Sequence, residues 1–328
     1  MSQIVRIRET GGPEVLRFEE MEVGEPGPGE IRLRVEAIGL NRSEAIYRSG
    51  AYLIPPKLPS LMGYEACGIL EAMGAGVTGF SPGQRICVLP SYRLGEYGVY
   101  GEKAIVPARS VLPAPAGLSA PQAASIWMQY LTAFAIIEVA RAGIGDYVLI
   151  PAASSSVGLA AIQLANWAGA VPIAATRHSN KRQALLEQGA KHVIATAETD
   201  LVAEVMRITA GKGARIIFDP VQGPEVEKLA NAAAEEGIIF IYGSLSNQPT
   251  IYPHWPAALK GLSLRGWVAS AIWNKLERFA RARALIERGL AEGHLKPVIA
   301  RTFALSQIVE AHRYLESNQQ IGKIVVTV

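Results

Sequence analysis

Small residues and serines crowd the junction between an apolar run and an alanine-rich run in Tyr147-Val-Leu-Ile-Pro-Ala-Ala-Ser-Ser-Ser-Val-Gly158-Leu-Ala-Ala. A strand that turns on small side chains into a helix can hold a pyrophosphate, because the turn lets backbone N–H groups at the helix start approach the phosphates closely. Ala152, Ser155 and Gly158 stand where the dinucleotide fingerprint has three glycines, and Ser156 and Val157 open the helix beside them. A serine-capped helix without any ligand would use the same residues. Nucleotide binding is favoured by context, since the turn follows a strand, precedes a helix and begins an alternating domain. The loop after the next apolar run reads Thr176-Arg-His-Ser-Asn-Lys181-Arg182, and no Asp or Glu occurs between Asp146 and Glu187. The acid that would bind the ribose 2′-hydroxyl of NAD is therefore missing there. Thr176, Arg177, Ser179 and Lys181 suit a 2′-phosphate instead: Arg177 can fork onto it, Lys181 can add a point charge and Ser179 a neutral hydrogen bond. NADPH is expected over NADH. Gly243, Ser244 and Leu245 follow the apolar run Ile238 to Tyr242, at the strand end where open sheets bind ligands. They are expected to contact the nicotinamide, and Thr132 is assigned to the same neighbourhood.

The elements that must position these groups fall into two textures. Up to about Leu118 the chain is rich in Gly and Pro, with short alternating runs such as Ile31 to Ala37 and Gly101 to Pro107. That pattern predicts antiparallel strands and tight turns. From about Ala120, alanine-rich helical stretches separate the apolar runs Tyr147 to Ile150, Val171 to Ala175, Val193 to Ala195, Arg215 to Phe218 and Ile238 to Tyr242. Alternating strands and helices require a parallel, doubly wound sheet with helices on both faces. The fold class is α/β. After Trp267 come a long helical stretch, Trp273 to Glu292, a second from Ser306 to Ser317 and a terminal apolar run, Ile324 to Val328; this tail is expected to return to the first domain.

Composition narrows the possibilities further. A formal net charge of +3 with no Lys or Arg run longer than a pair leaves no electrostatic footprint for nucleic acid. The longest apolar stretch, Ala123 to Ala140, is interrupted by Gln129 and Glu138, so no bilayer span is expected. The N-terminus lacks the apolar block of a secretion signal, and a cytoplasmic protein is expected. Cys67 and Cys87 read as small buried apolar residues rather than a disulfide or metal pair.

Many ordered pieces of the chain resemble the medium-chain dehydrogenase/reductase superfamily, and within it the zinc-free NADPH:quinone oxidoreductase-like branch. They include Glu9-Thr-Gly-Gly-Pro-Glu-Val-Leu16, Gly39-Leu-Asn-Arg-Ser-Glu44, Arg48-Ser-Gly-Ala-Tyr52, Gly63-Tyr-Glu-Ala-Cys-Gly68, Asp219-Pro-Val221, Tyr242-Gly-Ser-Leu-Ser246 and Gly322-Lys-Ile-Val325. The resemblance implies a GroES-like β-barrel catalytic domain built from residues 1–120 and 266–328 and a central Rossmann-type domain over 121–265, with nicotinamide and substrate held in a cleft. It also implies a homodimer joined edge to edge, through Ile238 to Tyr242 or Leu262 to Trp267.

Zinc-dependent relatives keep a metal on Cys and His ligands with one open position. By the resemblance, Asn41 and Tyr64 occupy the first two ligand positions and Met128 or Gln129 the third, and two cysteines are too few for a structural zinc lobe, so no metal is expected. The resemblance places Asn41 and Tyr52 at the active cleft as hydrogen-bond donors. Tyr64 is either a second donor or a wall residue, and Glu65 a buried organiser. Without a Lewis acid the acceptor must itself be electrophilic, a quinone or an α,β-unsaturated carbonyl compound. Two alternatives stay open: a 2-enoyl-thioester reductase, and a non-catalytic NADPH-binding scaffold for which the serine-substituted turn is suggestive.

Overall fold

The computed structural model describes residues 1–328. The chain divides into two units, one built from Met1–Met128 and Pro297–Val328, the other from Gln129–Lys296. In the first, strands Ile299–Ala304, Lys323–Thr327, Glu30–Gly39, Ala66–Met73, Arg85–Val88 and Val111–Pro113 follow one another in a barrel-type sheet, with Lys103–Pro107 also paired to Glu30–Gly39. The Glu30–Gly39 strand alternates in burial, and its inward Ile31, Leu33 and Val35 pack against Leu70, Ile86, Val106 and Val326. This is the period-2 pattern expected of antiparallel strands with one face in the core. A second sheet of Leu16–Met21, Ser2–Ile7 and Ser60–Leu61 joins this unit.

The other unit contains a six-stranded, wholly parallel sheet in the order His192–Ala195, Val171–Thr176, Tyr147–Ile150, Ala214–Asp219, Ala233–Ile241 and Ser263–Gly266. Counted along the chain this is 3-2-1-4-5-6, the dinucleotide-binding order. The chain reverses direction across the sheet at Tyr147–Ile150, so its carboxyl end marks the switch point. Val148, Leu149, Ile150, Ile216, Ile217 and Phe218 are fully buried, as both-sided burial of a parallel sheet requires.

The structural boundaries differ from the expected ones at 120 and 265. Residues 121–128 stay with the barrel, where Cys87 lies under the Ala123 carbonyl and the Met128 N–H donates to Glu65 at 2.8 Å. The helix Leu276–Ala291 belongs to the parallel-sheet unit. Its Gly289 presses on Trp167, its Arg278 and Arg281 pair with Glu138, and Gln163 holds both backbone groups of Lys296. The return to the barrel therefore begins at Pro297. The run Ile238 to Tyr242 is also not an edge: its strand is paired on both sides, and Ser263–Gly266 forms the sheet's outer strand. No helix is long and apolar enough to cross a membrane.

Candidate active site

The strand Tyr147–Ile150 feeds a turn and then the helix Ser156–Trp167. Ser155 caps this helix, its Oγ accepting from the Gly158 N–H at 3.0 Å. A Cβ on Gly158 would lie 2.5 Å from the Ala153 carbonyl oxygen, so only glycine lets the helix lie this close to the turn. Ala152 pays for the turn with φ of 47°, in the left-handed region that glycine would enter freely. The first N–H groups of a helix have no partner within it. Gly158 and Leu159 give theirs to Ser155, which leaves those of Ser156 and Val157 to meet an anion. A dinucleotide pyrophosphate fits this cradle, where the two N–H groups would hold it.

Two neighbouring strand ends complete the region. Asp219 ends its strand fully buried and accepts from the Val221 and Gln222 N–H groups at 2.8 and 2.9 Å. Burial pushes its carboxyl up to about 6. The turn Gly243–Ser246 is laced to this loop: Leu245 and Ser246 N–H reach the Pro220 and Val221 carbonyls, and Ser244 Oγ accepts from Gln222 at 2.7 Å. Gly243 is brought against Pro220, where a Cβ would sit 2.7 Å from the carbonyl oxygen. Thr132 is buried, with its carbonyl accepting from the Trp267 indole at 2.9 Å.

The loop Thr176–Arg182 stands beside the turn, with Lys181 Nζ donating to Ser154 Oγ at 3.0 Å. Burial, and then the charge of Arg177, lowers the Lys181 ammonium pKa. Arg177 is exposed and free to reach a ligand. Ser179 is not: its N–H donates to Glu198 at 2.8 Å, and its hydroxyl also serves that carboxylate. These bonds hold Glu198 below the usual carboxylate range. The acid absent from the loop itself thus arrives from the end of the neighbouring strand His192–Ala195. Parallel order gave the signal, since loops after adjacent strands lie side by side.

In the barrel unit the expected donors surround the helix Arg42–Arg48. Asn41 precedes it and is buried. Its Nδ2 donates to the Gly39 carbonyl at 3.0 Å and to Glu65 at 3.2 Å, while its Oδ1 accepts from Lys323 Nζ at 2.7 Å. Lys323 is fully buried and bonded to Glu65 at 2.6 Å, and Glu65 also accepts from the Met128 N–H. Both Asn41 amide protons are spent within this network, so the geometry gives Asn41 a bracing role and does not support its expected donation to a substrate.

The other two expected donors are Tyr64 and Tyr52. Tyr64 shares a hydrogen bond with Ser43, and burial, reinforced by Tyr52 and Glu44, holds its hydroxyl protonated well above the usual tyrosine value. Tyr52 packs edge-on against Tyr47 at 6.4 Å, and its hydroxyl pKa is raised by burial. Its hydroxyl has no partner within the chain. Glu44, fully buried, accepts from the Asn41 N–H at 2.6 Å, the Tyr64 N–H at 3.2 Å and Tyr100 at 2.9 Å. Burial raises its carboxyl to about 7. Sequence reasoning missed Glu44 and Lys323. The available clue for Lys323 was a cation standing at the head of the apolar run Ile324 to Val328.

A zinc ion does not fit this set. The Asn41 oxygen faces an ammonium at 2.7 Å, the Tyr64 phenol is held protonated, and neither Met128 nor Gln129 supplies a zinc ligand.

Residues 27–116 match the family described as alcohol dehydrogenase GroES-like domain, and residues 156–287 that described as zinc-binding dehydrogenase. A 2-haloacrylate reductase of Burkholderia is 29% identical over 98% of this chain and 97% of that protein. A quinone oxidoreductase of Pseudomonas aeruginosa is 30% identical over 99% of each. The structure of Escherichia coli quinone oxidoreductase complexed with NADPH superimposes with a TM-score of 0.92, covering 99% of this chain and 100% of that one at 29% identity. Together with the 3-2-1-4-5-6 parallel sheet and the barrel, these likenesses show that the chain belongs to the medium-chain dehydrogenase/reductase superfamily, in its quinone oxidoreductase-like branch.

Proposed function

We propose that the chain is an NADPH-dependent oxidoreductase that reduces quinones or related α,β-unsaturated carbonyl compounds without a metal. The reading is carried by one observation: Asn41, which by the resemblance stands at the first zinc-ligand position, has its oxygen bonded to the Lys323 ammonium and its amide protons spent on Gly39 and Glu65, so it offers no metal a ligand. It is supported by the relatives, which include proteins named quinone oxidoreductase and 2-haloacrylate reductase, and by the NADPH-bound Escherichia coli enzyme.

When bound, the reduced nicotinamide supplies a hydride. The Ser156 and Val157 N–H groups hold the pyrophosphate, Arg177 and Lys181 bind the 2′-phosphate, and the Gly243–Leu245 turn orients the nicotinamide. Tyr52 and Tyr64 donate hydrogen bonds to the acceptor oxygen as negative charge develops there, a role in which preorganised dipoles are most effective. Glu44, Glu65 and Lys323 keep these donors in position. The chain works as a homodimer through the outer strand Ser263–Gly266, near which Trp255 and Leu259 are 71% and 80% exposed.

The test is NADPH oxidation by purified protein with 1,4-naphthoquinone, 2-chloroacrylate and crotonyl-CoA, with and without a chelator. Chelator-insensitive turnover of the quinone or the haloacrylate is expected. Preference for crotonyl-CoA would move the assignment to a thioester reductase, and tight NADPH binding without any turnover would leave a scaffold.

A further inference from the structure

The chain passes from the barrel unit to the parallel-sheet unit between Met128 and Gln129 and returns between Lys296 and Pro297. Both crossings meet one side chain. Gln163 Oε1 accepts from the Tyr130 hydroxyl at 2.8 Å and from the Lys296 N–H at 3.0 Å, and its Nε2 donates to the Lys296 carbonyl at 2.9 Å. Tyr130 is fully buried, and burial pushes its phenol pKa up, so the phenol is the donor. The Gln129 side chain and the Lys296 backbone also act on that hydroxyl, which draws the two crossings together. Two accepted bonds use both lone pairs of the amide oxygen, so Gln163 keeps no acceptor for a ligand. It stands in the helix Ser156–Trp167, about 10 Å along the axis from the N–H groups assigned to the pyrophosphate. The helix that would take the cofactor therefore also holds both places where the chain leaves its unit. Asn166, on the same helix, makes a local brace for comparison: it donates to the Gly189 carbonyl at 2.9 Å, and Gly189 lies at neither crossing.

We propose that Gln163 is a positioning residue for hydride transfer, which keeps both crossings in register with the cofactor helix. The inference rests on the NADPH-dependent reduction proposed above, in which the Gly243–Leu245 turn and the tyrosine donors belong to different units. Gln163 touches neither cofactor nor acceptor and acts through the backbone that it holds. A displacement of about 1 Å between reacting groups can lower a rate by roughly a hundredfold, even when its origin is remote from the chemistry.

The experiment compares wild type with Gln163→Met, Tyr130→Phe and Asn166→Leu. Methionine keeps the length of the side chain and removes all three bonds, whereas Tyr130→Phe releases one crossing only. Calorimetric titration reads the NADPH Kd, and assays with 1,4-naphthoquinone well below the melting temperature read kcat and the isotope effect of NADPH deuterated at the transferred hydrogen. Gln163→Met is expected to bind NADPH within about twofold of wild type, because the helix start is untouched, while kcat falls at least about tenfold with an isotope effect as large or larger. Tyr130→Phe is expected to show the same split at about threefold. Asn166→Leu is expected to lower the melting temperature and keep kcat within about twofold of wild type. Lower melting temperatures with unchanged kcat in Gln163→Met and Tyr130→Phe overturn the proposal, since they would make the amide a structural brace alone. An equal loss of kcat in Asn166→Leu overturns it too, as does a smaller isotope effect in Gln163→Met, which would put the loss in another step. Absence of turnover in wild type removes the proposed reaction itself, a separate result.

Discussion

Lys323 offers the sharpest test of how the barrel unit holds its donors. Replacing it with methionine keeps most of the side-chain volume beside Gly39, whose missing Cβ would otherwise lie 2.9 Å from Lys323 Cε. What is lost is the charge facing Glu65 at 2.6 Å and the donor to Asn41 at 2.7 Å. Glu65 is then a buried carboxylate with no counter-charge, a loss that costs about 3–5 kcal/mol. The lower end applies, because Glu65 still accepts from the Met128 N–H and from Asn41. About 3 kcal/mol corresponds to a fall of roughly 10 °C in melting temperature for a unit of this size. In Lys323→Met combined with Glu65→Gln, no buried charge remains, the glutamine oxygen can keep the Met128 bond, and the Asn41 amide can turn over to pair with the new amide. Urea denaturation of wild type, both single variants and the double variant completes a cycle. The double variant should recover more than half the loss of either single one. A loss below about 1 kcal/mol in Lys323→Met, or additive losses in the cycle, would show that the pair is not the brace described.

The raised carboxyl of Glu44 gives a pH dependence with a definite sign. Its folded value of about 7 lies above its ordinary 4.5, so its contribution to stability is fully present below pH 4.5 and is lost as pH rises through 7. Between pH 5 and 8 wild type should lose roughly 2–3 kcal/mol relative to Glu44→Gln, as read by urea midpoints; parallel pH profiles would refute this. At the cofactor loop, Arg177→Ala with Lys181→Ala should weaken NADPH at least tenfold more than NADH at low salt, and equal losses would remove the charge argument for cofactor choice. Glu198→Gln should do the reverse, strengthening NADPH roughly threefold at low salt without changing NADH, because the carboxylate beside Ser179 opposes a 2′-phosphate; calorimetric titration reads both.

Local features of the chain were legible before any coordinates. The Ser155–Gly158 turn could be read because strand, turn and helix are contiguous, and the apolar runs predicted five of the six parallel strands within a few residues. What escaped depended on distant pairing. Lys323 meets Asn41 across 282 positions, and neither residue's immediate neighbours announce the other. Asn41 looked like a free donor because nothing local shows that Gly39 and Glu65 take its protons. The helix Leu276–Ala291 was assigned to the wrong unit because amphipathic spacing says that a face is buried, not against what. Glu198 was overlooked because the search for an acid followed the chain rather than the sheet.

Working without a metal, as proposed, limits what the site can ask of its substrate. A zinc ion keeps an open position and polarises the oxygen that enters it. The Lys323 ammonium is fully buried and bonded to Asn41 and Glu65, so it holds neighbours in place and has no open face for a ligand. In the proposed reaction, stabilising the acceptor oxygen falls to phenols, and burial has moved Tyr52 and Tyr64 above the usual tyrosine pKa. Phenols so raised stay protonated and can donate hydrogen bonds to a developing enolate or hydroquinone oxygen, but without a metal they do not polarise the carbonyl of a simple aldehyde or ketone as a Lewis acid would. The expected outcome is a kcat/KM for 1,4-naphthoquinone or an enone at least a hundredfold above that for a saturated aldehyde of similar size, with Tyr64→Phe and Tyr52→Phe together lowering kcat for the quinone by roughly 10²-fold. Comparable turnover of the saturated aldehyde, or a double variant that keeps full kcat, would mean that the oxygen is stabilised by some other group and that the tyrosines only wall the site.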